Sequence, residues 1–391
     1  MPNETVSNRE THPAPAHTKG DETFLVLSAH DYRSPRKAGI HFIADELAQR
    51  GRTRFFSLRY SFLSRYTNDP RLTLDANANL VAEHNGVDCY LWKTWIHPFN
   101  TRRTWLRLAE SWMYRWYSRG DNPVLCQWIK EASIIILESG VAPVFFDLIK
   151  ELNPTATIVY RASDSLETIN VAAYVSNTFL RIAGDINTIV LPSKALADTI
   201  PSQHNLAFIP QGIDYSIADK ADPSPYDSGV HAVSIGSMLF DPSFFILAAK
   251  KFPNIHFHII GSGHPAHPEY GPNVSVYGEM PFAQTLPYIK HAQLGIAPYS
   301  SNNMPAYLRD TSLKLLQYDF FAIPAICPYF IAADYPNRYG YHIGDADSIA
   351  EAINHALNPR LRTTPQQVFS WSQVTDRMLA PRLFHDTEMA A

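Results

Sequence analysis

Between residues 24 and 327 the sequence alternates short apolar runs with stretches of helical periodicity, and it completes that alternation twice. The first cycle opens with Phe24-Leu-Val-Leu-Ser-Ala-His30, a run of strand length that ends in polar residues. A helix is predicted from Gly39 to Arg50, where Ile40, Ile43, Leu47 and Ala48 share one face and Gly51 stops it. Further strands are predicted at Thr53–Tyr60, Val87–Trp92, Ser133–Leu137, Thr157–Tyr160 and Thr188–Leu191, each followed by helical periodicity. This spacing requires parallel strands joined by crossover helices, because parallel neighbours cannot be joined by a tight hairpin. The pattern pauses between Pro210 and Gly229, where turn formers gather. A second cycle begins at His231-Ala-Val-Ser-Ile-Gly236 and continues through Ile255–Ile260, Val274–Tyr277, Leu294–Pro298 and Pro324–Cys327.

A chain of 391 residues is long for one α/β unit and suits two. The expected organisation is a polar tail at 1–22, a Rossmann-like domain at 23–210, a linker at 211–229 and a second Rossmann-like domain at 230–363. The segment 364–391 has too few strands for a third domain and is expected as helices crossing back to the first. Two open sheets in tandem turn their strand carboxyl ends toward a shared cleft, and ligands bind outside those ends. Residues just after strands are therefore the ones to weigh.

Composition narrows the function. Apolar residues make up 46% and charged residues 18%, which suits a globular chain, and a net charge of −4 gives no global basic field for nucleic acid. No apolar run reaches the ~18 residues a spanning helix needs, and the first 22 residues lack a signal peptide's apolar centre. Cys89, Cys126 and Cys327 are far apart and read as buried free thiols. Sixteen histidines raise the question of metal, but His256, His258, His264 and His267 have no convergent acid or thiol set, so no metal site is expected.

Candidate chemistry follows the strand ends. Asp164, after Thr157–Tyr160, stands where a carboxylate could take a proton from an acceptor hydroxyl; with Ser163 and Glu167 it also fits a helix cap. Gly236-Ser-Met238-Leu-Phe-Asp241-Pro could approach a donor through small residues and backbone amides, or be a plain strand-turn-helix junction. Gly261-Ser-Gly263 and Tyr299 end two further strands, the glycine pair being a weak phosphate signal by itself. Thr311 or Ser312 is predicted to cap a helix that presents Lys314 and Gln317 on one face, and a helix amino end beside a lysine suits a diphosphate.

Five of the seven tryptophans, Trp92, Trp95, Trp105, Trp112 and Trp116, crowd between residues 92 and 119. The same window holds Lys93, Arg102, Arg103, Arg107, Arg115 and Arg119 against a single acid, Glu110. Amphipathic aromatics with basic side chains suit an anionic bilayer surface; an aromatic core helix or a partner-protein face are the alternatives.

Taken together, Ser28-Ala-His-Asp31-Tyr-Arg33-Ser-Pro-Arg36, His97-Pro-Phe-Asn-Thr-Arg-Arg103, Tyr160-Arg-Ala-Ser-Asp164, Gly236-Ser-Met-Leu-Phe-Asp241-Pro, Tyr277-Gly-Glu279-Met and Lys314-Leu-Leu-Gln317-Tyr-Asp-Phe-Phe321 resemble the GumK-type glucuronosyltransferases. The resemblance runs from about residue 24 to about residue 380. It implies a GT-B fold, two Rossmann-like domains facing a central cleft. It also implies an inverting, metal-independent transfer of glucuronate from UDP-glucuronate to a mannose on a polyprenyl-diphosphate-linked oligosaccharide in exopolysaccharide assembly. Neither cofactor nor nucleic acid is implied; the setting would be peripheral, on the cytoplasmic face of a bacterial inner membrane. Carried over by motif, Asp164 matches the general base, and Met238, Asp241, Tyr299, Leu308, Leu313, Lys314 and Gln317 match the donor site. Leu313 stands where the family pattern has Met, a near-isosteric change. Asp198, Asp214 and Glu279 would be further cleft carboxylates. His30, Asp31, Arg33, Arg102, Arg103, Trp105, Trp112 and Trp116 would lie on the acceptor and membrane side. A UDP-sugar epimerase of similar fold, a transferase using another UDP-hexose and a non-catalytic membrane scaffold are the competing readings.

Overall fold

The computed structural model describes residue 20 and residues 22–389, apart from 35, 36, 68, 201–204, 301–304, 361–366 and 386. Most of the predicted tail at 1–22, and Pro35-Arg36 of the quoted motif, lie outside the described residues.

The first sheet contains β1 (Thr23–Ser28), β2 (Arg52–Ser61), β3 (Val81–His84), β4 (Val87–Thr94), β5 (Ile134–Glu138), β6 (Thr157–Arg161), β7 (Thr188–Leu191) and β8 (Leu206–Phe208). After the two-residue β9 (Gly212–Ile213), the second sheet is built from β10 (Val230–Ile235), β11 (Ile255–Ile260), β12 (Val274–Tyr277), β13 (Leu294–Ile296), β14 (Ala325–Pro328) and β15 (Arg338–Tyr341). β16 (Phe369–Ser370) pairs with β9, and β17 (Glu388–Met389) returns antiparallel to β8. The sheet orders are β17-β8-β7-β6-β5-β1-β2-β4-β3 and β12-β11-β10-β13-β14-β15.

The strands are near-continuous apolar runs because helices cover both faces of each sheet. In β1, Leu25 and Leu27 enter one core while Phe24 and Val26 enter the core on the opposite face, as a period of two dictates. β1 pairs in parallel with both β2 and β5, and β10 with both β11 and β13. In each sheet the connections run outward in opposite directions from that point, leaving a crevice beyond the strand carboxyl ends. The two crevices define the places where chemistry can sit.

Three local expectations are corrected. No α-helix separates β2 from β4 among the described residues: short 3-10 helices at Phe62–Tyr66 and Pro70–Asn77 lead into β3, which is antiparallel to β4. The β3–β4 turn is Asn85-Gly86, both with positive φ (49° and 77°), the two-residue hairpin chemistry that this dipeptide favours. Asp164 does not cap a helix, for turns follow β6 and the next helix is Ala173–Ile182. Cys89 and Cys327 are buried free thiols, whereas Cys126 is only half-buried.

The carboxyl-terminal helix, Trp371–Leu379, packs on the helix Gly39–Arg50 of the first sheet. Trp371, Val374 and Met378 share a core with Ile40, Ile43 and Leu47. Trp371 stacks on Phe42 with ring centroids 5.2 Å apart, and Arg50 pairs with Asp376 at 2.7 Å. Losing an indole at such a position costs about 3–5 kcal/mol, so the chain's end is a structural part of the first sheet's layer.

Candidate active site

The lip formed by the first sheet gathers polar groups where β1, β5 and β6 end. Glu138, the last residue of β5, is buried and accepts hydrogen bonds from the hydroxyls of Ser28 and Ser163, the latter at 3.2 Å. Asp164 is half-buried, and its backbone N–H donates to Ser139 Oγ at 3.2 Å. Burial raises the Asp164 pKa above the ordinary carboxylate value, and the nearby Glu138 charge adds to the rise, while Tyr307 and His30 oppose it. A carboxylate made more basic by desolvation holds a proton more readily, which is what a general base requires.

The opposite lip is built from loops after β10, β11, β12 and β13. The β10 and β13 loops are zipped together: Asp241 N–H donates to Pro298 O at 2.8 Å, and Ser300 N–H to Leu239 O at 2.8 Å. Gly236, Gly261 and Gly263 have positive φ, at 89°, 63° and 75°, and a Cβ at Gly236 would meet nothing within 4 Å. Such a loop leaves backbone amides approachable where a side chain would block them. Ser312 caps the helix Leu313–Phe320, its hydroxyl accepting from Leu315 N–H at 3.4 Å, and Tyr299 OH lies 2.8 Å from Ser312 Oγ. On the first turn of that helix Lys314 Nζ stands 5.6 Å from the Tyr299 ring centroid. No carboxylate pairs with Lys314 among the described residues, and desolvation pushes its ammonium down to about 8. A helix amino end and a desolvated, unpaired cation favour an anion.

One segment joins the lips. Tyr307 precedes the short helix Leu308–Thr311 of the second half of the chain, yet its ring is buried in the first sheet's core. Its hydroxyl donates to Asp164 Oδ1 at 3.2 Å. Three residues on, Asp310 accepts from the hydroxyls of Ser193 and Tyr335, again linking the two halves.

The remaining predicted residues divide. Met238 is exposed on the β10 loop; Asp241 is buried, and its Oδ1 caps the helix Ser243–Lys251 by accepting from Ser243 N–H at 2.9 Å. Glu279 is exposed just after β12, its Cα 3.6 Å from the Cβ position at Gly261. Gln317 lies one turn beyond Lys314, and Leu313 is exposed beside it. Leu308 packs, partly buried, against the first sheet's core with Tyr307. Asp31 and Arg33 face each other: two bonds of 2.9 Å join them, and Ser57 also donates to Asp31 at 2.8 Å. Burial would raise the Asp31 pKa, but these partners hold it below the ordinary value. His30 is exposed at the lip. Asp214 is spent capping the turn Tyr215–Ala218, and Asp198 is exposed on Lys194–Thr199 and takes no part in these hydrogen bonds. Sequence reasoning passed over Tyr307, Glu138 and Ser139; Glu138, ending an apolar strand with a lone acid, carried a readable signal.

Of the clustered tryptophans, Trp92 is turned inward and stacks on Tyr117 at 4.4 Å. Trp95, Trp105, Trp112 and Trp116 are exposed, at 83%, 72%, 68% and 42%, together with Arg102, Arg103, Arg107, Arg115 and Arg119. Glu110 is buried and accepts from Thr101, so the outer face of the helix Arg107–Tyr117 carries no acid. Among the described residues no helix is long and apolar enough to cross a membrane.

Two mainly parallel α/β sheets, each with a crevice at its switch point, one bearing a desolvated carboxylate and the other a helix amino end with an unpaired lysine, are the arrangement of the GT-B glycosyltransferases. The same architecture appears in the UDP-forming α,α-trehalose-phosphate synthase of Burkholderia xenovorans: TM-score 0.60, 11% identity, 92% of this chain and all of that one. Sucrose-phosphate synthase from Thermosynechococcus elongatus matches with a TM-score of 0.58 and 11% identity, covering 93% and 99% of the two chains. Residues 26–192 match the family model described as "Glucuronosyltransferase GumK, N-terminal domain". Over 377 residues the chain is 54% identical to the UDP-glucuronate:glycolipid 2-beta-glucuronosyltransferase of Xanthomonas campestris pv. campestris, covering 96% of this chain and 94% of the relative. The chain belongs to the GumK glucuronosyltransferase family, which sets aside the epimerase and scaffold readings.

Proposed function

We propose that this enzyme transfers glucuronate from UDP-glucuronate, with inversion, to a mannose hydroxyl of a polyprenyl-diphosphate-linked oligosaccharide during exopolysaccharide assembly. Two observations support the reading: Asp164, made more basic by burial at the end of β6 and bonded to Tyr307 of the second half, and Lys314, without a carboxylate partner among the described residues at a helix amino end. In this scheme the acceptor oxygen attacks the anomeric carbon and yields its proton to Asp164. The bond from that carbon to UDP breaks with both electrons leaving on the phosphate oxygen. Lys314, the Leu313–Phe320 amides and the β10 loop meet the charge that develops there. An α-linked nucleotide sugar attacked from the opposite face gives a β product, in keeping with the activity named for the Xanthomonas relative.

The acceptor's lipid sets the location. We assign the exposed tryptophans and five arginines of residues 95–119 to an anionic membrane surface, on the cytoplasmic face of the inner membrane. Each basic residue near such a surface contributes about 1 kcal/mol, and the indoles supply amphipathic contact.

The test is a panel of labelled UDP-sugars with a synthetic polyprenyl-diphosphate-linked mannose-terminated glycan. Label from UDP-glucuronate should enter the organic phase, and NMR of the product should show a β linkage. Preference for UDP-glucose would sink the donor assignment, and an α linkage the inversion.

A further inference from the structure

In β2 the register against β4 slips between Ser57 and Tyr60, and Arg59 occupies the slip with a φ of +56°. A left-handed arginine in a strand persists only where its surroundings fix it. Arg71 reaches in to bind Leu58 O at 2.7 Å and Arg59 O at 2.9 Å, and Arg59 N–H donates to Tyr117 OH at 2.9 Å. A bulge so braced re-aims a side chain. Here the Arg59 guanidinium lines a cavity of about 50 Å³ with Asn100, Tyr114, Asn170 and Val175. Its Nε is buried without a hydrogen-bond partner, and no carboxylate pairs with it among the described residues. Two neighbours are also left-handed, Asn170 at +52° and Arg102 at +56°. With the Asn170 carboxamide oxygen turned toward it, Arg102 lies 3.2 Å away, which puts a second guanidinium at the rim.

A buried guanidinium N–H lacking an acceptor is costly, so the half-buried Arg59 favours an oxyanion that completes it. The cavity is far smaller than the ~300–1,000 Å³ of whole-ligand pockets, and therefore fits a small charged group of a larger molecule. Its position says which group. One wall, Tyr114, belongs to the helix that exposes Trp112 and Trp116. Another, Ile169–Val171, continues the loop that begins with Asp164. On the functional reading above, a lipid-borne acceptor running from the bilayer to Asp164 would carry its phosphoryl linker between those walls.

We infer that the Arg59 cavity binds a phosphoryl group of the lipid-linked acceptor, fixing how far the glycan extends toward Asp164. The inference rests on the glycolipid-acceptor reading above. The test compares wild type, Arg59→Gln and Arg59→Lys on two acceptors with the same glycan, one diphosphate-linked to a short polyprenol and one a phosphate-free alkyl glycoside. Arg59→Gln should lower the preference for the diphosphate acceptor at least tenfold through its KM, leave UDP affinity unchanged, and be partly rescued in Arg59→Lys. With UDP saturating, inorganic pyrophosphate should compete with the diphosphate acceptor on the wild type, a reading independent of whether the variant folds. An unchanged preference in a folded Arg59→Gln, or no competition by pyrophosphate, would overturn the assignment. Loss of binding to acceptor-free phosphatidylglycerol vesicles with the acceptor preference intact would also overturn it, marking a headgroup site instead. Should the wild type glucuronylate neither acceptor, the functional reading fails, and pyrophosphate binding under saturating UDP still judges the cavity.

Discussion

The two lips of the cleft treat their polar groups in opposite ways. At the first sheet's lip nearly every group is already engaged: Glu138 with Ser28 and Ser163, Asp31 with Arg33 and Ser57, Asp164 with Tyr307. At the second sheet's lip the groups are left unmet: Gly236 has nothing within 4 Å of its Cβ position, Met238 is exposed, and Lys314 has no carboxylate partner among the described residues. A proton acceptor must be held at a fixed place and basicity before substrate arrives, so its surroundings are prearranged. A polyanion brings its own charge, so the site for it leaves donors unmet. The contrast supports the proposal that proton transfer belongs to one lip and leaving-group stabilisation to the other.

The most damaging challenge to that division is Asp164→Asn. It keeps the shape and removes the base, so kcat should fall by ~10²–10⁴-fold while UDP affinity, measured calorimetrically, stays within about twofold, inside the usual error of such couplings. Comparable losses in both would mean that the lips are not separate. Next in size is Lys314→Ala. A charge-assisted bond contributes about 1.5–3 kcal/mol, so UDP should bind roughly 10–100-fold more weakly. A pH series sharpens this further. The Lys314 pKa is depressed to about 8 by burial, so its ammonium is present below that value and lost above it. UDP affinity should hold at neutral pH and weaken as pH rises through about 8, and Lys314→Arg should flatten the decline, since arginine stays charged.

How much of this was legible beforehand differs between the lips for the same reason. Apolar runs stop where strands stop, so Asp164 after β6 and Gly236 after β10 stand out in the sequence. Ser312 and Lys314, within three consecutive residues, are local helix chemistry and read without tertiary knowledge. That Asp31 and Arg33 pair with each other in a buried turn has no local sequence signal. Asn85-Gly86 was a readable hairpin that helical alternation overrode. Tyr307 sits over a hundred residues from Asp164, and Arg59 looks like any alternating strand residue until the slip against β4 turns it. Contacts made by folding the two halves together have no periodic signature.

At the tryptophan- and arginine-rich edge proposed to meet the membrane the expected effects are smaller and additive. Arg102→Gln and Arg103→Gln should each weaken binding to phosphatidylglycerol vesicles by roughly fivefold, the equivalent of about 1 kcal/mol per charge. The losses should shrink in high salt, and neutral vesicles should show no such difference. A loss equal on both vesicle types would mean that the arginines support the fold.

The smallest effect tests the contact that bridges the lips. Tyr307→Phe keeps the buried ring and removes only the hydroxyl that donates to Asp164. That bond favours the charged carboxylate and so opposes the upward push of burial on the Asp164 pKa. Without it the pKa rises further. Since the base works deprotonated, the acidic limb of the kcat/KM profile should move to higher pH while the plateau changes little. An acidic limb that stays in place would show that Tyr307 only packs the two halves together. A limb moving to lower pH would mean that the base is some other group, because removing a donor cannot make Asp164 more acidic.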